Sequence, residues 1–285
     1  MNSGSPRSYL YVPADQTEKL QRAVLRGADA LIIDLEDSVS ASNKEIARKN
    51  LSNFLNGIET NSEIWVRVNC DPVSLPQDLL AAVHPKVTGI SFPKSESAEQ
   101  LGKLDAEISK LERESRSSGV QILALIETAR GVVSSLEIAQ SPRVSMLQLG
   151  EQDLRRELRL PSDFSNSPLT FARNTIIYAS AMAGINPPLG SVATQFSDLT
   201  SLRESTEAIR KQGFFGRTCI HPAQVSIVNE VFSRSEDDLR RARRIIEIME
   251  ISKGGATVDD EGTMVDEAHL KWAKSILGEE STGAI

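Results

Sequence analysis

Cysteine is scarce in this chain, and so are the features that mark secreted and membrane proteins. Its two cysteines, Cys70 and Cys219, form no CxxC pair and supply no disulfide framework, so a reducing, cytoplasmic compartment is expected. No apolar run approaches the ~20 residues of a membrane span. Residues 1–7 contain no apolar signal segment, so neither secretion nor a membrane location is expected.

Positive charge and histidine are limited as well. The chain has 32 Lys and Arg against 39 Asp and Glu, a net charge of −7, with no basic run of five or more residues. A nucleic-acid partner is therefore not expected, although a local basic patch could still bind a phosphorylated ligand. The three histidines form no cluster that would indicate zinc.

What the chain does contain is a full set of core-forming segments. It has 285 residues, 40% hydrophobic and 25% charged, which is typical of a soluble globular protein. Strand-like runs alternate with helical patterns. The predicted strands are residues 9–13, 30–35, 63–69, 89–94, 121–127, 144–150, 189–193 and 218–221.

Eight strands alternating with helices within about 230 residues predict a (β/α)₈, or TIM, barrel, an α/β fold. We assign it to residues 1–232 and predict a helical extension over residues 233–285. The alternative is an open doubly wound sheet. That fold usually has a glycine-rich phosphate turn after its first strand, which residues 13–16 (PADQ) do not provide.

Charged and polar residues stand where four of the buried strands end. They are Asp34, Glu36 and Asp37 after the second strand, Arg67 and Asn69 after the third, Glu127 after the fifth, and Glu151 and Asp153 after the sixth. Enzymes with parallel sheets build their active sites at this edge. A single charged residue could merely mark the end of a strand, but charged residues after four strands together predict an active site.

Glu127 and Asp153 are the candidate metal ligands, because neighbouring strand ends bring two carboxylates together. Mg²⁺ takes one or two carboxylates and leaves its other positions to water and substrate oxygens. Glu36 and Asp37 could hold metal-bound waters. The alternative is that Glu127 and Asp153 are unconnected surface acids.

Arg67 would face the same cavity, where its planar fork suits a carboxylate, or it could simply neutralise nearby acids. Gly131 and Gly150 could let the backbone approach a ligand, and Gly150 could equally be a bend. His221 ends the last strand, where barrels often hold a phosphate. Cys219 would share a strand face with His221, so a thiol nucleophile is a further alternative.

The predicted extension ends in a helix over residues 266–277 that carries enough apolar surface to need a partner. This helix could pack on its own barrel or on a neighbouring subunit. A glycine pair, Gly254 and Gly255, predicts a hinge before it, and the tail from Glu279 onward is expected to be disordered. Asp266 would be the N-cap of the helix, a position that aspartate favours.

Taken together, these motifs resemble the citrate lyase β-subunit-like family of the HpcH/HpaI aldolase group, over nearly the whole chain. The matching segments are residues 7–13 (RSYLYVP) with Lys19, 27–39 (GADALIIDLEDSV), 66–69 (VRVN), 92–94 (FPK), 126–131 (IETARG), 150–154 (GEQDL), 216–225 (GRTCIHPAQV) and 262–266 (GTMVD).

The resemblance implies a Mg²⁺-dependent TIM-barrel lyase that cleaves or forms a carbon–carbon bond in a 3-hydroxyacyl-CoA thioester. Three sets of residues carry over from it. Glu127 and Asp153 match the metal ligands, Arg67 matches the arginine on the substrate carboxylate or carbonyl, and Arg7 and Lys19 match basic positions near the CoA phosphates. From their places in the barrel we further expect a catalytic role for Glu36 and Arg67, and substrate or CoA contacts for Gly131 and His221. Asp266 matches an acid or base that reaches a neighbouring subunit's site. A homotrimer or homohexamer is expected.

Two segments depart from the family pattern. Small residues usually follow the metal aspartate, whereas this chain has residues 154–159 (LRRELR), and an aspartate-containing segment usually stands where this chain has residues 186–191 (NPPLGS). The sequence therefore does not identify the acyl group of the substrate. The alternatives are an aldolase of free hydroxy-oxo-acids and a non-catalytic subunit of a lyase complex.

Overall fold

Eight parallel strands close into a barrel in the computed structural model, which describes residues 6–115, 117–161, 167–252, 255–259 and 262–278. Each strand pairs with the next in the chain, and the eighth pairs with the first, which confirms the predicted TIM barrel. The strands are β1 (Ser8–Pro13), β2 (Ala30–Asp34), β3 (Glu63–Arg67), β4 (Gly89–Phe92), β5 (Gln121–Ile126), β6 (Val144–Leu149), β7 (Leu189–Gly190) and β8 (Gly216–Cys219).

Helices follow the strands and cover the outside of the barrel. They are α1 (Thr17–Ala23), α2 (Lys44–Gly57), α3 (Ser74–Ala82), α4 (Ala98–Ser115), α5 (Ala129–Val133), α6 (Ser135–Ala139), α7 (Glu151–Glu157), α8 (Ser167–Ala183), α9 (Leu199–Gln212) and α10 (Pro222–Phe232). Capping interactions define the ends of α9. Asp198 accepts the Ser201 N–H at the start of α9, and Gly213 ends that helix in the left-handed conformation.

Side chains alternate between the two faces of each strand, so the barrel has an inner and an outer core. Leu31 and Ile33 of β2 belong to the large cluster between strands and helices. The inner cluster consists of Tyr9, Ala30, Ile32, Trp65, Leu123, Met146 and Leu189. Gly89 makes room for the largest of these, because a Cβ there would lie 2.4 Å from the Trp65 ring.

Several predicted boundaries were wrong at the C-terminal ends of the strands. The third strand was predicted to reach Asn69 but ends at Arg67, because the Asn69 N–H donates to the Asp78 carboxylate rather than to a neighbouring strand. The seventh spans only Leu189–Gly190.

The helices also differ from the prediction. A single helix predicted over residues 132–139 is two helices that meet at Ser134, and α7 and α10 were not predicted.

The described residues from 233 onward form a second compact unit, separate from residues 6–232. It contains α11 (Glu236–Ile251), a hairpin of β9 (Thr257–Val258) and β10 (Met264–Val265), and α12 (Glu267–Leu277). Its own core is Ala242, Ile245, Met249, Val265 and Ala273. Gly254 of the predicted hinge, and the predicted disordered tail from Glu279, lie outside the described residues.

No helix in the described part of the chain has the length and apolar character needed to cross a membrane.

Candidate active site

Arg67 lies at the centre of a charged cluster at the C-terminal ends of the first strands. Its Nε and Nη2 donate to the two carboxylate oxygens of Asp34, both at 2.7 Å. Its Nη1 lies 3.0 Å from Glu36 Oε2, and its guanidinium carbon lies 4.9 Å from the centre of the Tyr11 ring. The sequence offered two roles for Arg67, and the neutralising role is visible in these contacts.

Lys94 connects two of the acidic side chains. Its Nζ donates to Glu36 Oε1 at 2.7 Å, and its backbone N–H donates to Glu127 Oε1 at 2.9 Å. Lys94 has a φ of 49°, in the left-handed region that few residues other than glycine occupy. The turn after β4 therefore directs one residue's backbone and side chain to Glu127 and Glu36.

Glu127 is the most perturbed acid of this cluster. Only 4% of the residue is exposed, and burial raises the pKa of its carboxyl from 4.5 to about 7, with further contributions from the charges of Glu36 and Asp153. Gly150 is required beside it, because a Cβ there would lie 2.5 Å from Glu127 Cβ. The sequence predicted a close approach of Gly150 to a ligand, and the structure shows one to Glu127.

Asp153 lies in the first turn of α7, close enough for its charge to raise the pKa of Glu127. Its Oδ1 accepts from Arg156 Nη1 at 2.7 Å. No group of three or more His, Cys, Asp or Glu side chains suited to a metal occurs among the residues that the structure describes. Two carboxylates fit Mg²⁺, which draws its other ligands from water and substrate.

A second network holds the backbone of the acidic loop after β2. Lys44 Nζ donates to the carbonyl oxygens of Leu35 and Glu36 at 2.6 and 2.7 Å, and to Asn69 Oδ1 at 2.9 Å. Asp78 accepts from Asn69 Nδ2 at 2.6 Å. These contacts fix the position from which the Glu36 side chain reaches Arg67 and Lys94.

An open cleft of about 340 Å³ adjoins the cluster. Its lining residues are Glu36, Asp37, Val39, Lys44, Asn69, Cys70, Asp71 and Lys94. The half-buried Cys70 contributes a neutral thiol, because burial raises its pKa. A charged cluster next to a polar cleft at this end of a TIM barrel is the expected location for a small anionic substrate.

Of the two basic residues predicted to contact CoA, Arg7 lies at the opposite end of the barrel from the cluster. Arg7 precedes β1 and Asp29 precedes β2, and Arg7 Nε donates to Asp29 Oδ2 at 2.7 Å. This pair occupies the N-terminal ends of the strands, opposite the cluster, so the structure does not bring Arg7 to the site. Lys19 lies exposed in the first turn of α1, which follows the C-terminal end of β1.

His221 is exposed just beyond β8, where its ring stacks on Phe196 with the ring centres 5.0 Å apart. Its Nδ1 accepts from the Ala223 N–H. Cys219 is fully buried, and burial raises the pKa of its thiol to about 12. A thiolate nucleophile at Cys219 is therefore disfavoured, which argues against the thiol–histidine alternative.

Gly131 serves the backbone around the start of α5. A Cβ there would lie 2.5 Å from the Ser95 carbonyl oxygen, and its N–H donates to Thr128 Oγ1 at 3.0 Å. The close approach to Ser95 explains a glycine at this position without a ligand. Gly131 therefore supports the turn that follows Glu127.

Asp266 belongs to the second unit, where it is the N-cap of α12. Its Oδ1 accepts from the backbone N–H groups of Ala268 and His269 and lies 2.8 Å from His269 Nδ1. The hydrogen bond from His269 is the main cause of the lowered pKa of Asp266. The N-cap predicted from the sequence is confirmed.

Tyr11 and Lys94 were missed as site residues, and Asp34 was placed at the strand-end edge without a role of its own. Tyr11 lies inside an apolar strand run, and Lys94 ends a predicted strand that was not among the four marked by charged or polar residues. Glu151 also has a role that the sequence did not show. It forms an ion pair with Arg173 of α8, at 2.7 Å, and so supports α7.

The raised pKa of Glu127 predicts a pH-dependent stability in the metal-free protein. The folded state keeps a proton that the unfolded chain loses between pH 4.5 and about 7, so the free energy of unfolding should fall across that range. The expected loss is about 3 kcal/mol. Urea unfolding in chelator should show it for the wild type and not for Glu127→Gln. If the free energy of unfolding changes with pH in the same way for the two proteins, the buried environment described for Glu127 is refuted.

Comparisons with known proteins agree with this architecture. A model of the HpcH/HpaI aldolase/citrate lyase family matches residues 7–222, and a model of carbon–carbon bond lyases of the TIM-barrel fold matches residues 172–282. The citrate lyase subunit beta of Leuconostoc mesenteroides subsp. cremoris is 31% identical over 278 residues, 95% of this chain and 92% of that protein. A (3S)-malyl-CoA thioesterase of Cereibacter sphaeroides is 33% identical over 277 residues, 95% and 93% of the two chains.

A solved structure gives the same result. CitE from Mycobacterium tuberculosis, in complex with magnesium, acetoacetate and coenzyme A, matches with a TM-score of 0.79 and 29% identity, covering 97% of this chain and 98% of that one. The resemblance inferred from the motifs is thereby confirmed. The chain belongs to the HpcH/HpaI aldolase/citrate lyase family.

Proposed function

We propose that this protein is a magnesium-dependent carbon–carbon lyase for a 3-hydroxyacyl-CoA thioester of the citryl, malyl or citramalyl type. The observation that carries the proposal is Glu127, a buried carboxylate with a pKa of about 7 that faces two further acids. A divalent cation would offset that excess of negative charge. The similarity to CitE, solved with magnesium and coenzyme A, supports both the ion and the substrate class.

In this proposal Glu127 and Asp153 hold the Mg²⁺ ion. The bound ion supplies Lewis acidity and orients the substrate oxygens. Arg67 uses two of the five N–H donors of a guanidinium on Asp34, while its Nη1 forms an ion pair with Glu36 at 3.0 Å. Its remaining donors on Nη1 and Nη2 can donate to the substrate carboxylate or carbonyl, so Arg67 places fixed positive charge where negative charge develops.

Cleavage begins when a base removes the proton of the substrate hydroxyl. The electrons of the O–H bond form a carbonyl, the adjacent carbon–carbon bond breaks, and the thioester enolate that departs takes up a proton. Asp266 is the proposed acid or base, supplied by a neighbouring subunit of a homotrimer or homohexamer. Glu36, held between Arg67 and Lys94, keeps both cations in place.

A second candidate is thioester hydrolysis, which the similarity to (3S)-malyl-CoA thioesterases favours. The two reactions give different products from malyl-CoA. A lyase releases acetyl-CoA and glyoxylate without a free thiol, whereas a thioesterase releases malate and free CoA. Malyl-, citramalyl- and citryl-CoA, each assayed for thiol and for 2-oxo acid, decide between them.

Two conditions of the same assay test the remaining alternatives. Turnover should require Mg²⁺ and stop in chelator. Cleavage of free hydroxy-oxo-acids without CoA would identify an aldolase of such acids instead. Absence of any turnover unless an acyl-carrier protein and a transferase are added would identify a subunit of a lyase complex.

Arg67→Lys is expected to lower kcat/KM by about 10²–10³, the cost of losing one group that stabilises developing charge. An ammonium cannot hold Asp34 through two parallel N–H donors and still offer two more to the substrate. Steady-state kinetics measures the effect, and Arg203→Lys, at an exposed ion pair with Glu230, is the control. Near-normal kinetics for Arg67→Lys would show that Arg67 acts only as a general positive charge.

A further inference from the structure

One buried carboxylate joins the arginine of the site to its acidic loop. Asp34, at the end of β2, is 1% exposed. Its Oδ1 accepts from Arg67 Nε at 2.7 Å and from the Glu36 N–H at 2.9 Å. Its Oδ2 accepts from Arg67 Nη2 at 2.7 Å and from the Ser38 N–H at 3.1 Å. Four donors from two elements thus converge on a single side chain.

We propose that Asp34 is the positioning residue of this site. It sets the rotation of the Arg67 guanidinium and the course of the loop that carries Glu36, without touching the substrate itself. The importance of this role for turnover rests on the proposed function, because it requires that Arg67 meets the reacting group.

Arg67 is held along one edge and on one face. Asp34 occupies the edge formed by Nε and Nη2, and the Tyr11 ring lies against the guanidinium at 4.9 Å. Tyr11 is itself anchored from across the barrel, where its hydroxyl accepts from Gln148 Nε2 at 3.1 Å. Only the side formed by Nη1 and Nη2 is left to meet an anion, next to Glu36.

The geometry requires a carboxylate at position 34. An asparagine offers one acceptor oxygen and one amide nitrogen, so its NH₂ group would face at least one of the four N–H donors. Burial opposes the charge of Asp34, but the charge and hydrogen bonds of Arg67 outweigh burial and lower the pKa of Asp34. The residue therefore stays an acceptor on both oxygens across the neutral pH range.

Asp34→Asn tests the proposal with little change in side-chain size. We expect kcat to fall by about 10²-fold, as for a small displacement of a catalytic group. The affinity for Mg²⁺, measured by calorimetry without substrate, should stay near the wild-type value, because Glu127 and Asp153 are unchanged. In the Arg67→Lys background, Asp34→Asn should cause much less further loss, since both changes disturb the same group.

The matched control is Glu112→Gln, which breaks another buried ion pair. Glu112 Oε2 lies 2.7 Å from Arg143 Nη2, and Arg143 precedes β6, at the opposite end of the barrel. Glu112→Gln should lower the melting temperature as Asp34→Asn does, but leave kcat unchanged. If both variants lose only thermal stability, Asp34 is a structural residue and the proposal is overturned.

A readout independent of turnover separates this proposal from the proposed function. The Nε–H signal of Arg67 in ¹⁵N NMR, assigned with Arg67→Lys, should shift and exchange faster with water in Asp34→Asn. An unchanged signal would overturn the positioning role. If the wild type cleaves no thioester but the signal shifts, the proposed function fails while Asp34 is still shown to hold Arg67.

Discussion

Glu127→Gln is expected to abolish Mg²⁺ binding and turnover together while leaving the metal-free barrel at least as stable as the wild type. The carboxylate is the buried member of the metal pair, and an amide oxygen carries no charge to attract the ion. The Lewis acidity of a bound ion is worth several kcal/mol, so the loss in kcat should reach about 10³-fold or more. The fold should survive, because glutamine can still accept the Lys94 N–H and removes a costly buried charge.

Three measurements on the variant check this expectation. They are calorimetric titration with Mg²⁺, steady-state turnover of the preferred thioester, and thermal unfolding in chelator. Glu137→Gln is the control, because Glu137 is exposed on α6, soon after the same strand. Asp153→Asn should lose metal binding in the same way. Full turnover of either metal-site variant in chelator would refute the assignment of the metal ligands.

Asp266→Asn is expected to slow the reaction by about 10²–10⁴, the usual contribution of one proton-transferring group. The barrel should be unaffected, because Asp266 belongs to the second unit and caps α12 there. Asparagine is also a good N-cap, so the stability of α12 should change little. Glu267→Gln, one residue along the helix, is the control. Loss of activity with no change in melting temperature is the expected result.

Mixing two inactive variants tests whether Asp266 acts in a neighbouring subunit. Oligomers formed from Asp266→Asn and Glu127→Gln subunits should recover part of the activity, because some sites then combine an intact metal pair with an intact Asp266. Deleting residues 254–285 should remove activity while the barrel stays folded. If mixed oligomers form and stay inactive, Asp266 acts within its own chain or only caps α12.

The sequence alone determined the barrel and the edge at which its site lies. Eight apolar runs separated by helical patterns allow few folds other than a closed parallel barrel. The C-terminal ends of parallel strands share one edge, so Arg67, Glu36 and Glu127 could be placed together without coordinates. The motifs also identified the family, because they extend over most of the chain.

Only the tertiary structure decided how the charges at that edge are paired. A strand pattern gives the face of a residue but not the distance to a side chain on a neighbouring strand, so the pairing of Asp34 with Arg67 was not predictable. The motif around Arg7 did not show that its side chain pairs with Asp29 at the opposite end. The pKa of Glu127 likewise depends on burial and on acids from other strands, which meet only when the barrel closes.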